Sequence, residues 1–126
     1  PLVRDTARRI MGESPNIVLT EPLEYQPFAK LMSRSYLILT DSGGIQEEAP
    51  GLGKPVIVLR TETERPEAVE AGTVKVAGTD TDTIVEMVSA LMDSKKEYEA
   101  MSKANNPYGD GRASQRIVEN IIKTFR

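Results

Sequence analysis

Four short apolar runs recur along the chain at intervals of roughly twenty residues. They are Asn16-Ile-Val-Leu-Thr20, Tyr36-Leu-Ile-Leu-Thr40, Val56-Ile-Val-Leu59 and Thr73-Val-Lys-Val-Ala77. Each is rich in β-branched or large aliphatic residues and is bounded by turn formers, the pattern of a strand. The third has no polar residue, as a central parallel strand covered on both faces requires. The segments between them carry apolar residues at helical spacing. In residues 2–11, Val3, Ala7, Ile10 and Met11 share a face, and Gly12 suits the C-terminal cap. Glu21-Pro22 breaks the first run. Residues 23–26 then lead into a helix that tolerates Pro27 in its first turn, with Phe28, Leu31 and Met32 on its apolar side. A helix is predicted from Gly44 to about Leu52, kinked or shortened by Pro50, and another from Pro66 to Ala71, capped by Gly72. A longer one starts with Asp80 or Thr81 as N-cap, carries Ile84, Val85, Val88, Leu91 and Met92, and breaks near Asp93-Ser94. A short helix holding Tyr98 and Met101 follows. The last, over about 112–125, carries Ile117, Ile121 and Phe125. Strands alternating with helices predict right-handed crossovers and an α/β fold: a Rossmann-like parallel sheet with helices on both faces.

Ligands of such sheets sit beyond the carboxyl ends of the strands. There the second run ends in Thr40-Asp41-Ser42-Gly43-Gly44, followed at once by helix formers. A helix start leaves unpaired N–H groups and a partial positive charge, and paired glycines let a ligand reach the backbone. The turn therefore suits an anion, above all a phosphate. On a helix from Gly44, Ile45, Ala49 and Leu52 form the predicted core stripe, Glu48 lies at its edge, and Gln46 and Glu47 face away. A carboxylate at such a seam needs partners, and a ribose diol offers two hydroxyls. The alternative is an unliganded turn with a partly solvated Glu48. The loop Arg60–Arg65 leaves the end of the third run and should share the same rim.

Composition narrows the chemistry. A length of 126 residues fits one domain. A net charge of −3 and a pI near 5.1 argue against a broad nucleic-acid interface. Cysteine and histidine are both absent, which removes thiolate metal sites, disulfides and the commonest acid–base residue. No metal site is expected. No run approaches membrane-spanning length and no signal peptide opens the chain, so a cytoplasmic location is the simplest expectation. The start at Pro1 suggests a cut fragment. Gly51-Leu-Gly53 lacks the third glycine of a dinucleotide fingerprint, and Lys54 is followed by Pro55 rather than by a metal-binding hydroxyl. Asp80-Thr-Asp82 lacks the glycine and terminal Glu of a calcium loop.

Several motifs occur together and in order: Thr40-Asp-Ser-Gly-Gly-Ile-Gln-Glu-Glu-Ala-Pro50, Gly53-Lys-Pro-Val56, Thr63-Glu-Arg-Pro-Glu-Ala-Val69, Ala71-Gly-Thr-Val74 and Asn106-Pro-Tyr-Gly-Asp-Gly111. In this the chain resembles the C-terminal half of the non-hydrolysing UDP-N-acetylglucosamine 2-epimerases. The resemblance implies the C-terminal Rossmann-like domain of a glycosyltransferase-B type fold, over residues 1–126, with the N-terminal domain and the domain's first strand absent. It implies that Ser42, Gly43 and Gly44 meet the UDP phosphates through backbone N–H groups and one hydroxyl, that Glu48 takes both ribose hydroxyls, and that Arg65 grips phosphate oxygens. The segment with Leu23 and Phe28 would pack on the uracil and read its edge. Leu23 stands where some family members have a polar residue, so its contact would be through the main chain.

The implied reaction interconverts UDP-GlcNAc and UDP-ManNAc by elimination and re-addition of UDP, without a cofactor. The family carries its acids and bases outside this stretch, so no catalytic residue is assigned and the fragment alone is expected to be inactive. Family members are commonly homodimers that feed surface-polysaccharide synthesis. A glycosyltransferase of the same architecture, a hydrolysing epimerase and a non-enzymatic αβ module are the alternatives. The Asn106–Gly111 loop is expected to anchor the last helix.

Overall fold

The computed structural model describes residues 2–125. The chain divides into two compact units, Pro1–Lys30 and Leu31–Arg126. The larger is built on three parallel strands in the order β1-β2-β3: β1 (Ile38–Thr40), β2 (Val56–Val58) and β3 (Val74–Val76). Leu39 lies beside Ile57, which in turn lies beside Lys75. Helices α3 (Gly43–Gly51) and α4 (Pro66–Glu70) follow β1 and β2. After β3 come α5 (Thr81–Asp93), α6 (Lys95–Ser102) and α7 (Ala113–Phe125).

Strand alternation sorts the core into two layers. Val56, Val58 and Val74 pack with Ala49 of α3 and Ala68 of α4. On the other face Ile57 packs with Leu91 of α5 and Met101 of α6. All of β2 is buried, as its unbroken apolar run predicts. The expected parallel sheet with helices on both faces is thus observed. Asp80 caps α5 by accepting from the Thr83 amide at 2.9 Å, and Ser94 separates α5 from α6 by accepting from the Glu97 amide at 3.3 Å. Gly72 follows α4 at φ +78°, a turn that a side chain would strain.

The smaller unit corrects one expectation. It contains α1 (Leu2–Met11) and most of α2 (Tyr25–Arg34), both as predicted, but Asn16–Thr20 forms no strand. A strand is defined by its ladder, and among the described residues no segment pairs with this run; Val18 is left 84% exposed. A second departure is α7. It is helical as expected, yet Ile117, Val118, Ile121, Ile122 and Phe125 are all exposed along it.

An aromatic pair ties α5 and α6 to the approach to β1. The rings of Tyr36 and Tyr98 stack with centroids 4.2 Å apart. The Tyr98 hydroxyl donates to the Tyr36 carbonyl at 2.9 Å, and the Tyr36 hydroxyl donates to the Leu91 carbonyl at 3.2 Å. Burial pushes the Tyr98 phenol above its ordinary value of 10.0. Its folded pKa therefore exceeds its unfolded one. The associated stability is complete below pH 10 and is lost as pH rises through the folded value. Tyr98→Phe keeps the stack and removes the hydrogen bond, so urea unfolding at neutral pH should show a loss of about 1 kcal/mol. The variant should also lose less stability than the parent between pH 9 and pH 11, a window around that ordinary value of 10.0.

Candidate functional site

The carboxyl end of β1 turns into α3 through a buried hydroxyl. Thr40 Oγ1 accepts from the Ser42 amide at 3.0 Å, which holds Ser42 extended (φ −87°, ψ 129°) as the N-cap residue. No side chain caps α3. The amides of Gly43 and Gly44 open its first turn and have no intrahelical carbonyl to meet. This refines the expectation for Ser42. Its own amide is taken by Thr40, so it can offer a ligand its hydroxyl but not its N–H.

Arg65 lies over that helix start. A Cβ built on Gly43 would stand 3.9 Å from Arg65 Nη2 and 3.4 Å from Glu64 Oε2. Arg65 is the N-cap residue of α4, and Pro66 begins that helix. Its Nε donates to Glu47 and its Nη1 to the Glu64 carbonyl at 3.1 Å, while Nη2 has no hydrogen-bond partner among the described residues. The hydrogen bond that Arg65 donates to Glu47, then the charge of that carboxylate, raises the Arg65 pKa further above its ordinary guanidinium range, so the group is cationic at any working pH. Gly43, Gly44 and Arg65 thus share one rim, as predicted. Arg60 stands nearby, paired with Glu64 at 2.9 Å. A cavity of about 390 Å³ opens beside this loop, between Arg60, Glu62, Glu64 and Thr79.

The faces of α3 differ from the predicted ones. Gln46, expected to face away, is 1% exposed, and with Ala49 and Pro50 it forms the buried stripe. Ile45 is partly buried against the core, but Leu52 lies past the helix end at 43% exposure. Pro50 and the stop at Gly51 take Leu52 out of the stripe. Burial of Gln46 is made possible by its partners: its Nε2 donates to the Ser42 carbonyl at 3.3 Å and its Oε1 accepts from Thr63 Oγ1 at 2.5 Å. Glu47, expected to be solvated, is half-buried against Arg65. Glu48 is exposed rather than set at a seam, and its carboxylate makes no ion pair or hydrogen bond among the described residues. Burial therefore does not force a partner on Glu48; its oxygens are open to a ligand.

Leu23 and Phe28 belong to the smaller unit. Leu23 is exposed ahead of α2, and Phe28 is half-buried in its first turn, its amide donating to the Glu24 carbonyl at 3.0 Å.

The Asn106–Gly111 motif acquires a physical role. Asn106 Oδ1 accepts from the Tyr108 amide at 3.2 Å, and Tyr108 packs on the α3–α4 side of the core, its hydroxyl 3.5 Å from Glu67. Asp110 accepts from the Arg112 amide at 3.2 Å and takes both Arg116 terminal nitrogens at 2.8 and 2.7 Å. The loop does anchor the last helix, by holding its first turn.

An open parallel sheet, a strand-to-helix turn with bare amides and a guanidinium above it define an α/β domain whose strand ends carry the groups that an anion site requires. Comparison with known proteins makes the assignment specific. A model of the UDP-N-acetylglucosamine 2-epimerase family matches residues 1–122, and the chain belongs to that family. It is 60% identical over 121 residues to the UDP-N-acetylglucosamine 2-epimerase of Escherichia coli K12, covering 96% of this chain and 32% of the relative. It is 55% identical over 122 residues to that of Bacillus subtilis 168, covering 97% of this chain and 32% of the relative. The crystal structure of the Neisseria meningitidis UDP-GlcNAc 2-epimerase bound to UDP-GlcNAc superposes with a TM-score of 0.92 at 54% identity, covering 98% of this chain and 34% of that one. The chain thus spans about a third of the length of the relatives it matches.

Proposed function

We propose that this chain is the UDP-binding part of a non-hydrolysing UDP-GlcNAc 2-epimerase. It would form the C-terminal domain of a glycosyltransferase-B type enzyme that acts in the cytoplasm as a homodimer. The observation that carries the reading is the meeting of the Gly43 backbone with Arg65 Nη2 at the start of α3, with an unpaired Glu48 further along that helix. A diphosphate would lie across the Gly43 and Gly44 amides, the Ser42 hydroxyl and Arg65, and the uridine ribose diol would meet Glu48. A relative of 54% identity with UDP-GlcNAc bound supports the ligand class.

In the reaction the C1–O bond to the diphosphate breaks with its electron pair leaving on UDP, and the C2 proton departs, giving a 2-acetamidoglucal. UDP then adds back and the proton returns on the opposite face. Negative charge grows on the diphosphate, and the α3 amides with the cationic Arg65 would stabilise it there. The same contacts would hold UDP between the two steps. The acids and bases of the proton transfers lie elsewhere in the longer protein, so these residues alone would bind and not turn over. The exposed apolar residues of α7 would be covered by the protein's remaining length.

Calorimetric titration of the folded chain with UDP and with uridine tests the reading. Glu48→Ala should weaken both ligands by about 10- to 100-fold, the loss of hydrogen bonds to a charged group. Glu86→Ala, an exposed carboxylate on α5, should leave both unchanged. Glu47 is not a usable control, because it holds Arg65. Equal affinity for UDP in the parent and Glu48→Ala would refute the ribose assignment. In the longer enzyme, release of UDP-ManNAc rather than free ManNAc distinguishes the non-hydrolysing reaction.

A further inference from the structure

We propose that Gln46 is a positioning residue that sets Arg65 in register with the α3 amides, an inference that rests on the UDP reading above. Gln46 is 1% exposed and touches no solvent from which a ligand could approach. Its amide joins two turns that come from different crossovers of the sheet.

The polarity of the chain of hydrogen bonds is determined. The Ser42 carbonyl can only accept, so the Gln46 Nε2 faces it at 3.3 Å. Oε1 is thereby turned to Thr63 and takes the single hydroxyl proton at 2.5 Å. That leaves a Thr63 lone pair, which accepts from the Arg65 amide at 3.1 Å. One end of the relay is the N-cap residue of α3 and the other is the N-cap residue of α4. The Arg65 backbone is held just before the rigid Pro66, and its side chain then reaches back over Gly43. Among the described residues no buried side-chain nitrogen or oxygen lacks a partner, so the relay is complete as built.

An apolar side chain of similar length would fill the space and cut the relay. Ser42 and Thr63 would each lose a partner, and the Arg65 loop would no longer be keyed to the helix start. A gap of a few tenths of an ångström matters little to a nucleoside but matters to a two-point grip on phosphate. The effect of Gln46 should therefore appear in the diphosphate contacts and run through Arg65.

The experiment is a double-mutant cycle on UDP and uridine affinity. Gln46→Met in the parent should weaken UDP by about tenfold, the loss of one well-made hydrogen bond, and leave uridine within about twofold. In an Arg65→Ala background the same change should cost UDP less than about twofold. Thr63→Val, which breaks the relay from the loop side, should mirror Gln46→Met, and Thr63→Ser should restore parental affinity. The threonine pair keeps the test decisive if Gln46→Met does not fold. Equal losses for UDP and uridine, additive losses with Arg65→Ala, or a silent Thr63→Val would overturn the role of Gln46 while leaving the nucleotide site standing. A parent chain that binds no UDP would overturn both.

Discussion

Arg65→Ala should lower UDP affinity by about 10- to 100-fold while leaving uridine affinity unchanged, because a hydrogen bond to a charged group contributes about 1.5–3 kcal/mol. The split between ligands follows from geometry. Nε and Nη1 are already spent on Glu47 and on the Glu64 carbonyl, and Nη2 remains toward Gly43. A ligand without phosphates has nothing to offer it. Arg65→Lys should fall in between, since an ammonium keeps the charge but not the planar fork that lets one group hold Glu47 and reach outward together. Titration at two salt concentrations provides the check: the Arg65-dependent part should shrink with salt and the Glu48-dependent part should change less. Equal loss of uridine binding would mean that Arg65 shapes the site as a whole and does not act on the diphosphate.

Ile57→Ala is the largest stability change expected. Ile57 has no solvent exposure, sits on the central strand and is the sheet's contact with Leu91 and Met101. Truncation should cost about 2–5 kcal/mol, a large part of what a domain of this size has to spare. Urea titration should show a lower midpoint at an unchanged slope. Val85→Ala is the counterpart: Val85 is exposed on α5, and its truncation should move the midpoint little. A small effect at Ile57 would mean that the two helical layers hold together without the central strand.

These two residues also mark what was legible in the sequence. Ile57 lies in an unbroken apolar run, and such a run has few homes other than a covered strand. The turn at Ser42–Gly44 was equally readable, because small residues between a strand and a helix leave their chemistry to the backbone. Caps at Asp80 and Ser94 act over three residues and so can be read locally. The faces of α3 could not. Gln46 is polar and its spacing predicts an outward position, but its burial depends on Thr63, which is distant in sequence and near only once β2 has formed. Glu47 reads as solvated for the same reason: its partner arrives from the next crossover. Asn16–Thr20 has the composition of a strand, but a ladder is a property of two segments, and composition reports on one.

The bare side of α7 has a practical corollary for the bench. Ile117, Val118, Ile121, Ile122 and Phe125 make a greasy ridge on a helix whose first turn is pinned by Asp110. Handled by themselves, these residues offer a surface on which copies can adhere and to which fluorescent hydrophobic dyes can bind. Titrations with uridine nucleotides are therefore best run dilute, with Ile121→Lys and Phe125→Lys as a solubilising pair well away from the Gly43 rim in sequence.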